Sequence, residues 1–146
     1  MAVDAKTGQP IFGSYAVGLH NVGSYQASGH PWLGGGDIAD TIEVKVEFPM
    51  VTKSITLIAS GTMTGELRAH FVSTSSATTV ISEHHYISLS DTDDSLTLNV
   101  KCKEIYLSAA GDDVSYQLAA ELTNIPAGRM FDLTGSGHTS AYQEGI

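Results

Sequence analysis

Charged side chains are scarce in this chain of 146 residues, at 16% of the composition, against about 25% in a typical soluble domain. Only seven residues are Lys or Arg, and sixteen Asp and Glu leave a net charge of -9. A protein that follows nucleic-acid phosphates needs clustered cations to displace counterions, so we expect no nucleic-acid partner. A weakly charged surface instead suits a subunit that packs against neighbours.

Cysteine is almost absent as well, since Cys102 is the only one. A single thiol excludes an internal disulfide and any metal site that needs several cysteines. No apolar run reaches the ~18 residues of a membrane-spanning helix, and the start of the chain lacks a basic region followed by an apolar one. We therefore expect no membrane partner, no signal peptide and synthesis in a reducing compartment.

The middle of the chain alternates apolar and polar residues at the period of a β-strand. The clearest case runs from residue 42 to residue 48, and Pro49 is expected to end that strand. Further strands are expected at 55–58, 67–71, 78–81, 86–89, 96–100, 105–107 and 114–122, with turn residues between them. This pattern predicts an all-β fold, a single β-sandwich or jelly-roll-like domain over residues 37–126.

Both ends of the chain differ in composition from this body. Residues 1–36 hold eight of the fifteen glycines but only two charged residues, Asp4 and Lys6. Frequent glycine disfavours a helix, while low charge and several large apolar residues are atypical of a disordered tail. We expect an extended Gly/Tyr-rich N-terminal arm over residues 1–36, with a hinge at Gly34-Gly35-Gly36, and a C-terminal tail of similar chemistry over residues 127–146.

Large apolar residues near the two ends are the expected contact residues. Tyr and Trp offer a large contact area at low entropic cost and are enriched at protein interfaces. The alternative is that these side chains pack against the chain's own sandwich. The predicted interface residues are Phe12, Tyr15, Leu19, Tyr25, Trp32, Leu33, Phe131 and Tyr142.

No motif of the sequence indicates catalysis. The Gly-x-Ser-x-Gly turn of serine hydrolases is missing, and Gly34-Gly35-Gly36 lacks the Lys and Ser/Thr of a phosphate loop. Ser136 and His138 lie in a glycine-rich tail, which would not hold them in place. Cys102 continues the phase of an alternating strand, so we expect it to be a small buried hydrophobic residue. We predict neither enzyme activity nor a cofactor.

Two polar stretches contain residue types that commonly bind metal ions. In a strand the neighbouring histidines of Glu83-His84-His85 point to opposite faces, so we expect polar residues at a strand edge rather than zinc ligands. Asp91-Thr92-Asp93-Asp94 begins like a calcium loop, but Leu96 and Cys102 stand where the loop needs Gly and Glu. We expect an acidic turn there, and a weak cation site on its carboxylates stays open.

Three stretches of the sequence carry a resemblance to a known family: residues 12–26, which begin Phe12-Gly13-Ser14-Tyr15, residues 87–106 and residues 122–137. All three resemble short virion structural proteins of tailed bacteriophages. The resemblance implies a non-enzymatic, β-rich protein that is made in the host cytoplasm and resides in the virion.

The function expected from this resemblance is that of a capsid decoration (cement) protein. The arm over residues 1–36 would reach across the major capsid protein or a sibling copy, and we expect a homo-oligomer. One alternative is a neck or tail-tube, collar or fibre-base subunit of the phage particle. Another is a carbohydrate-binding β-sandwich that places Trp32 and tyrosines against sugar rings.

Overall fold

A computed structural model describes residues 29–71, 73 and 86–130. These residues form eight β-strands and one short 3-10 helix, so the all-β expectation is confirmed. The strands are β1 (Trp32–Ile38), β2 (Glu43–Glu47), β3 (Met50–Ser60), β4 (Glu66–His70), β5 (Ile87–Leu89), β6 (Ser95–Leu98), β7 (Glu104–Ala110) and β8 (Val114–Pro126), and the helix is Ala127–Arg129. The strand expected at 78–81 lies outside the described residues.

The strands form two antiparallel sheets of four strands each, in the orders β1-β8-β3-β6 and β2-β7-β4-β5. β1 pairs with β8, β2 with β7, β3 with β6, and β4 with β5. These are the pairs of one long hairpin that turns back between β4 and β5. Two further pairings, β3 with β8 and β4 with β7, connect the strand pairs of this hairpin into the two four-stranded sheets.

The inward faces of both sheets share one hydrophobic cluster. Every second residue of β8 from Val114 to Leu122 is buried, as a period-two pattern requires. Burying one large aliphatic side chain stabilises the fold by roughly 1.5–3 kcal/mol. The largest fully buried members of the cluster are Ile38, Ile55, Leu57, Leu67, Ile105, Leu107 and Leu118.

β3 is longer than the sequence pattern predicts, because its first half does not alternate. Val51 and Thr52 are both buried, and the register with β8 shifts between Met50 and Ser54. The Thr52 backbone N–H donates to the Cys102 carbonyl, with 2.9 Å between the two atoms. An irregularity of this kind lets neighbouring side chains turn to the same side of a strand, so the alternation is lost while the strand continues.

The hinge expected at Gly34-Gly35-Gly36 is wrong, since these glycines lie inside β1 and pair with β8. A Cβ atom on Gly34 would come within 2.5 Å of the Trp32 ring, and one on Gly35 within 2.8 Å of the Tyr116 carbonyl oxygen. The glycines therefore allow β1 to lie close against β8. The sheet starts at Trp32, and residues 1–28 of the expected arm lie outside the described residues.

The chain continues in ordered contact with the body after β8. The Ala127 N–H donates to the Pro49 carbonyl at 3.2 Å, and Met130 is 4% exposed. Ala127 and Met130 of the expected C-terminal tail thus contact the body, while Gly128 and Arg129 are exposed. Residues 131–146 lie outside the described residues.

Replacing Gly35 with Ala is expected to lower the free energy of unfolding by about 1–3 kcal/mol, the usual cost of overpacking. The new methyl group would meet backbone of β8, which cannot rotate away. Gly36→Ala is the matched control, because a Cβ atom there has its nearest neighbour at 3.8 Å. Urea unfolding of both variants measures the difference. Equal stabilities would contradict the close approach of β1 to β8.

Candidate interaction surface

The outward faces of the two sheets differ in charge. We call the outward face of sheet β1-β8-β3-β6 the neutral face; it comprises Leu33, Gly35, Asp37, Ser54, Thr56, Ile58, Ser60, Ser95, Thr97, Ser115, Gln117, Ala119 and Glu121. We call the outward face of sheet β2-β7-β4-β5 the charged face; it comprises Glu43, Lys45, Glu47, Glu66, Arg68, His70, Ser88, Glu104, Tyr106, Ser108 and Ala110. Asp37 and Glu121 are the charged members of this set, and the exposed Lys53 lies beside it in the irregular first half of β3.

Two rows of cross-strand neighbours form the centre of the neutral face. The first row runs across the sheet through Leu33, Ala119, Thr56 and Thr97. The second row runs through Gly35, Gln117, Ile58 and Ser95. These side chains are small or uncharged, so a partner can approach the backbone of the sheet without displacing long charged groups.

Hydrogen bonds within the neutral face already satisfy several of its polar side chains. The hydroxyl oxygens of Thr56 and Thr97 lie 3.1 Å apart. At the borders, Ser54 donates to the Glu121 carboxylate at 2.9 Å, and Ser115 donates to the Asp37 carboxylate. A polar group that keeps its partner loses little when water is removed. Covering the centre of the neutral face, away from the Asp37 and Glu121 carboxylates, therefore carries a low desolvation cost.

A groove of about 540 Å³ lies on the β1 side of the neutral face. Its lining includes Leu33, Gly35, Ile58, Gln117 and Ala119. Leu33 is 71% exposed, the largest exposure among the large hydrophobic residues of the described chain. β1 is also an edge strand, since its pairing in the described sheet is with β8. The groove is thus bordered by an exposed leucine and by the edge of a sheet.

Charged side chains of the charged face form ion pairs with one another. Lys45 Nζ lies 2.7 Å from Glu47 and 2.9 Å from Glu104, and Arg68 lies 2.6 Å from Glu66. Hydrogen bonds to Glu47 and Glu104 raise the pKa of Lys45, and the hydrogen bond from Lys45 lowers the pKa of Glu47. A partner would have to desolvate these charges, so this face suits solvent better than it suits a partner.

His70 and Ser108 form a buried polar pair on the charged face. His70 Nε2 lies 2.5 Å from Ser108 Oγ and 3.9 Å from a Glu43 carboxylate oxygen. A catalytic triad needs the carboxylate on the opposite ring nitrogen and a nucleophile open to substrate. Here both groups face the same nitrogen, and Ser108 is fully buried. The pair therefore satisfies buried polar atoms, and its arrangement is unsuited to acyl transfer.

Cys102 is buried, as the sequence predicts, with 0% exposure. Its sulfur lies 3.4 Å from Thr52 Oγ1, and that oxygen accepts the Cys102 backbone N–H. Burial raises the pKa of the thiol from 9.0 to about 11. The thiolate is thus scarce at neutral pH, and Cys102 has the character of a packing residue.

The acidic stretch forms the turn that the sequence predicts. Asp94 Oδ2 accepts the backbone N–H groups of Ser90 and Asp91, and Thr92 donates to the Gly61 carbonyl. Within the described ranges, no group of three His, Cys, Asp or Glu side chains is arranged to hold a metal ion. His84 and His85 lie outside those ranges.

The predicted interface residues divide into three groups. Leu33 lies on the neutral face, beside the groove. Trp32 packs inward, with its ring 5.1 Å from that of Phe48 in an edge-to-face arrangement, as the self-packing alternative expects. Phe12, Tyr15, Leu19, Tyr25, Phe131 and Tyr142 lie outside the described residues. Every Trp, Tyr and Phe side chain in the described part of the chain is at least partly buried, so this part presents no open aromatic platform for a sugar.

The central residues of the neutral face were not singled out from sequence. Thr56, Ile58, Thr97 and Gln117 occupy the polar phase of alternating strands, which usually faces solvent. The sequence feature that could have identified them is that these positions almost all lack charge, unlike the corresponding positions of β2 and β4.

No protein-family model, curated protein or solved structure matches this chain. Among the residues that the structure describes, no helix is long and apolar enough to cross a membrane. The geometry of the neutral face is therefore the main guide to function.

Cys102 is expected to react with a thiol reagent such as DTNB at least ~100-fold more slowly in the native chain than in the urea-unfolded chain at pH 8. A thiol pKa of about 11 instead of 9.0 lowers the thiolate fraction at pH 8 by about that factor, and burial adds a steric barrier. Glutathione in the same two buffers corrects for the effect of urea on the reagent. Equal corrected rates would contradict the burial of Cys102.

Proposed function

We propose that the protein is a non-enzymatic virion structural protein of a tailed bacteriophage, specifically a capsid decoration (cement) protein. The neutral face is the surface that becomes covered in the particle, where it lies against the major capsid protein shell or against other virion proteins. The body is a β-sandwich of jelly-roll type. The jelly roll is supported by the pairing of β1 with β8, β2 with β7, β3 with β6 and β4 with β5.

The contrast between the two faces carries this proposal. Association is limited by the cost of desolvating polar groups and of ordering long side chains. On the neutral face the central residues are small, and the hydroxyls of Thr56 and Thr97 are already paired. On the charged face Lys45 and Arg68 hold ion pairs that a partner would disturb. One face is therefore suited to an assembly and the other to water.

The location in a phage particle is supported by the resemblance of residues 12–26, 87–106 and 122–137 to phage virion proteins. Copies of a decoration protein that also contact one another on the shell lattice would bind as linked modules, so weak contacts at each copy would add up through multivalency. A small, nearly uncharged contact face is adequate for such a role.

The number of copies per particle distinguishes a decoration protein of the shell from a subunit of the neck or tail. We expect quantitative mass spectrometry of purified particles to find hundreds of copies of this chain per particle. Six, twelve or a few dozen copies would instead support a neck, collar or tail subunit. Particles that contain none of the chain would overturn a virion role.

A charge placed on the neutral face is expected to weaken attachment to the shell. Thr97→Arg adds a long cation at the exposed edge strand β6, and burying it without a partner costs about 2–5 kcal/mol, which corresponds to at least a tenfold weaker binding. Ser88→Arg is the matched control, since Ser88 is an exposed outward residue of edge strand β5 on the charged face. Cosedimentation with particles that lack the chain measures both affinities.

Unchanged binding of Thr97→Arg, with folding verified by circular dichroism, would exclude the neutral face as the shell contact. Equal losses in both variants would indicate a general effect of positive charge rather than a contact on one face.

A further inference from the structure

We propose that residues 11–26 of a second copy of this chain add a strand along the edge of β1 that no described strand covers, and fill the groove beside it. This inference deepens the proposed function by naming a partner for part of the neutral face. It concerns association of the free protein in solution, so it can be tested without any particle.

β1 is the least protected of the four edge strands. Natural edge strands avoid unwanted pairing by being short or by carrying charged residues. β5 has three residues and β6 has four, while β2 carries Glu43, Lys45 and Glu47. β1 has seven residues, and its sequence WLGGGDI contains no Lys and no Pro and has one charge near its end. Among the described strands, only β8 pairs with β1, so its other backbone edge can accept an added strand.

The groove indicates which side chains the added strand would present. Leu33, Ile58 and Ala119 provide apolar contact, and Gly35 leaves space between Leu33 and Asp37. A strand placed beside β1 sends every second side chain toward the neutral face. Medium-sized apolar residues at alternate positions would fill this space, whereas charged residues would be desolvated there without a partner.

Residues 11–26 match that requirement. Tyr15, Val17 and Leu19 alternate with Ala16, Gly18 and His20. No Asp, Glu, Lys or Arg occurs from residue 7 to residue 36. Residues 15–19 thus have larger apolar side chains at alternate positions, and the whole segment lacks Asp, Glu, Lys and Arg. These are the two properties that the edge and the groove select. In strand addition, backbone hydrogen bonds supply affinity and alternate side chains supply specificity.

The backbone before β1 favours a second copy over the chain's own N-terminal segment. A two-residue hairpin needs a positive φ at its turn, and among described residues positive φ is found at Thr41, Gly61, Asp93 and Gly111, not at residues 29–31. His30 precedes Pro31, and a residue before proline is restricted to extended conformations. Residues 29–31 therefore form no two-residue turn that would return the chain along the same edge of β1. Reciprocal exchange between two copies would close a dimer.

Sedimentation velocity of the full chain tests the association. We expect the wild-type protein to form a dimer with increasing concentration. Leu33→Lys places a charge in the groove and should raise the dissociation constant at least tenfold. Ile87→Lys is the matched control, because Ile87 is a 43% exposed residue of edge strand β5 in the other sheet; it should dimerise like the wild type. A monomer at ~100 μM, or equal dimerisation of both Lys variants, would overturn the proposal.

Disulfide trapping identifies the segment and the chain that supplies it. A mixture of Val17→Cys chains and Leu33→Cys chains is expected to form a mixed disulfide dimer, while the buried Cys102 stays unreactive. A mixture of Val17→Cys and Ile87→Cys chains is the control and should form far less. In the double variant, Val17→Cys with Leu33→Cys, an intrachain disulfide in a monomer would overturn the second copy as the occupant.

The outcomes also separate this inference from the proposed function. A dimer trapped through residues 17 and 33 supports the strand addition even if the chain is absent from particles. Hundreds of copies per particle together with a monomeric free chain support decoration and exclude this mode of self-association.

Discussion

The close pairing of β1 with β8 is the contact on which the rest of the surface depends. Gly35 lets the backbone of β1 approach the Tyr116 carbonyl, and Gly34 leaves room for the Trp32 ring above Phe48. With β1 in the sheet, Leu33 is directed outward and the groove acquires its border. A side chain at Gly35 would press β1 away from β8 and distort this edge of the neutral face.

β8 connects the core to the neutral face. Its inward residues from Val114 to Leu122 join the hydrophobic cluster, and it pairs with both β1 and β3. Its outward residues, among them Gln117 and Ala119, lie at the middle of the neutral face. One strand thus determines both the stability of the body and the shape of the candidate contact surface. The charged face has no such exposed centre, since Lys45 and Arg68 cover it with ion pairs.

Sequence patterns predicted the strands with regular alternation and missed features that depend on long-range contact. Residues 42–48 and 114–122 alternate cleanly, and both correspond to strands. The first half of β3 was missed because buried Val51 and Thr52 break the pattern. Glycine usually marks flexible backbone, so the sequence indicates a hinge at the three glycines of β1. The β8 backbone against which they pack is about eighty residues away in the sequence, and a local pattern does not reveal it. The burial of His70 and Ser108 was not predicted either, since each is polar and lies in the outward phase of its strand.

Local chemistry decided which residues of each strand face inward, because side chains alternate with a period of two regardless of which strand lies next to them. The sequence by itself also contains the low charge, and it predicts the burial of Cys102 and the turn at Asp91–Asp94. The order of the strands, the pairing of Gly34–Gly36 with β8 and the gathering of uncharged residues on one face came from tertiary structure. Those features depend on which distant segments meet, and a strand's pattern does not encode its neighbour.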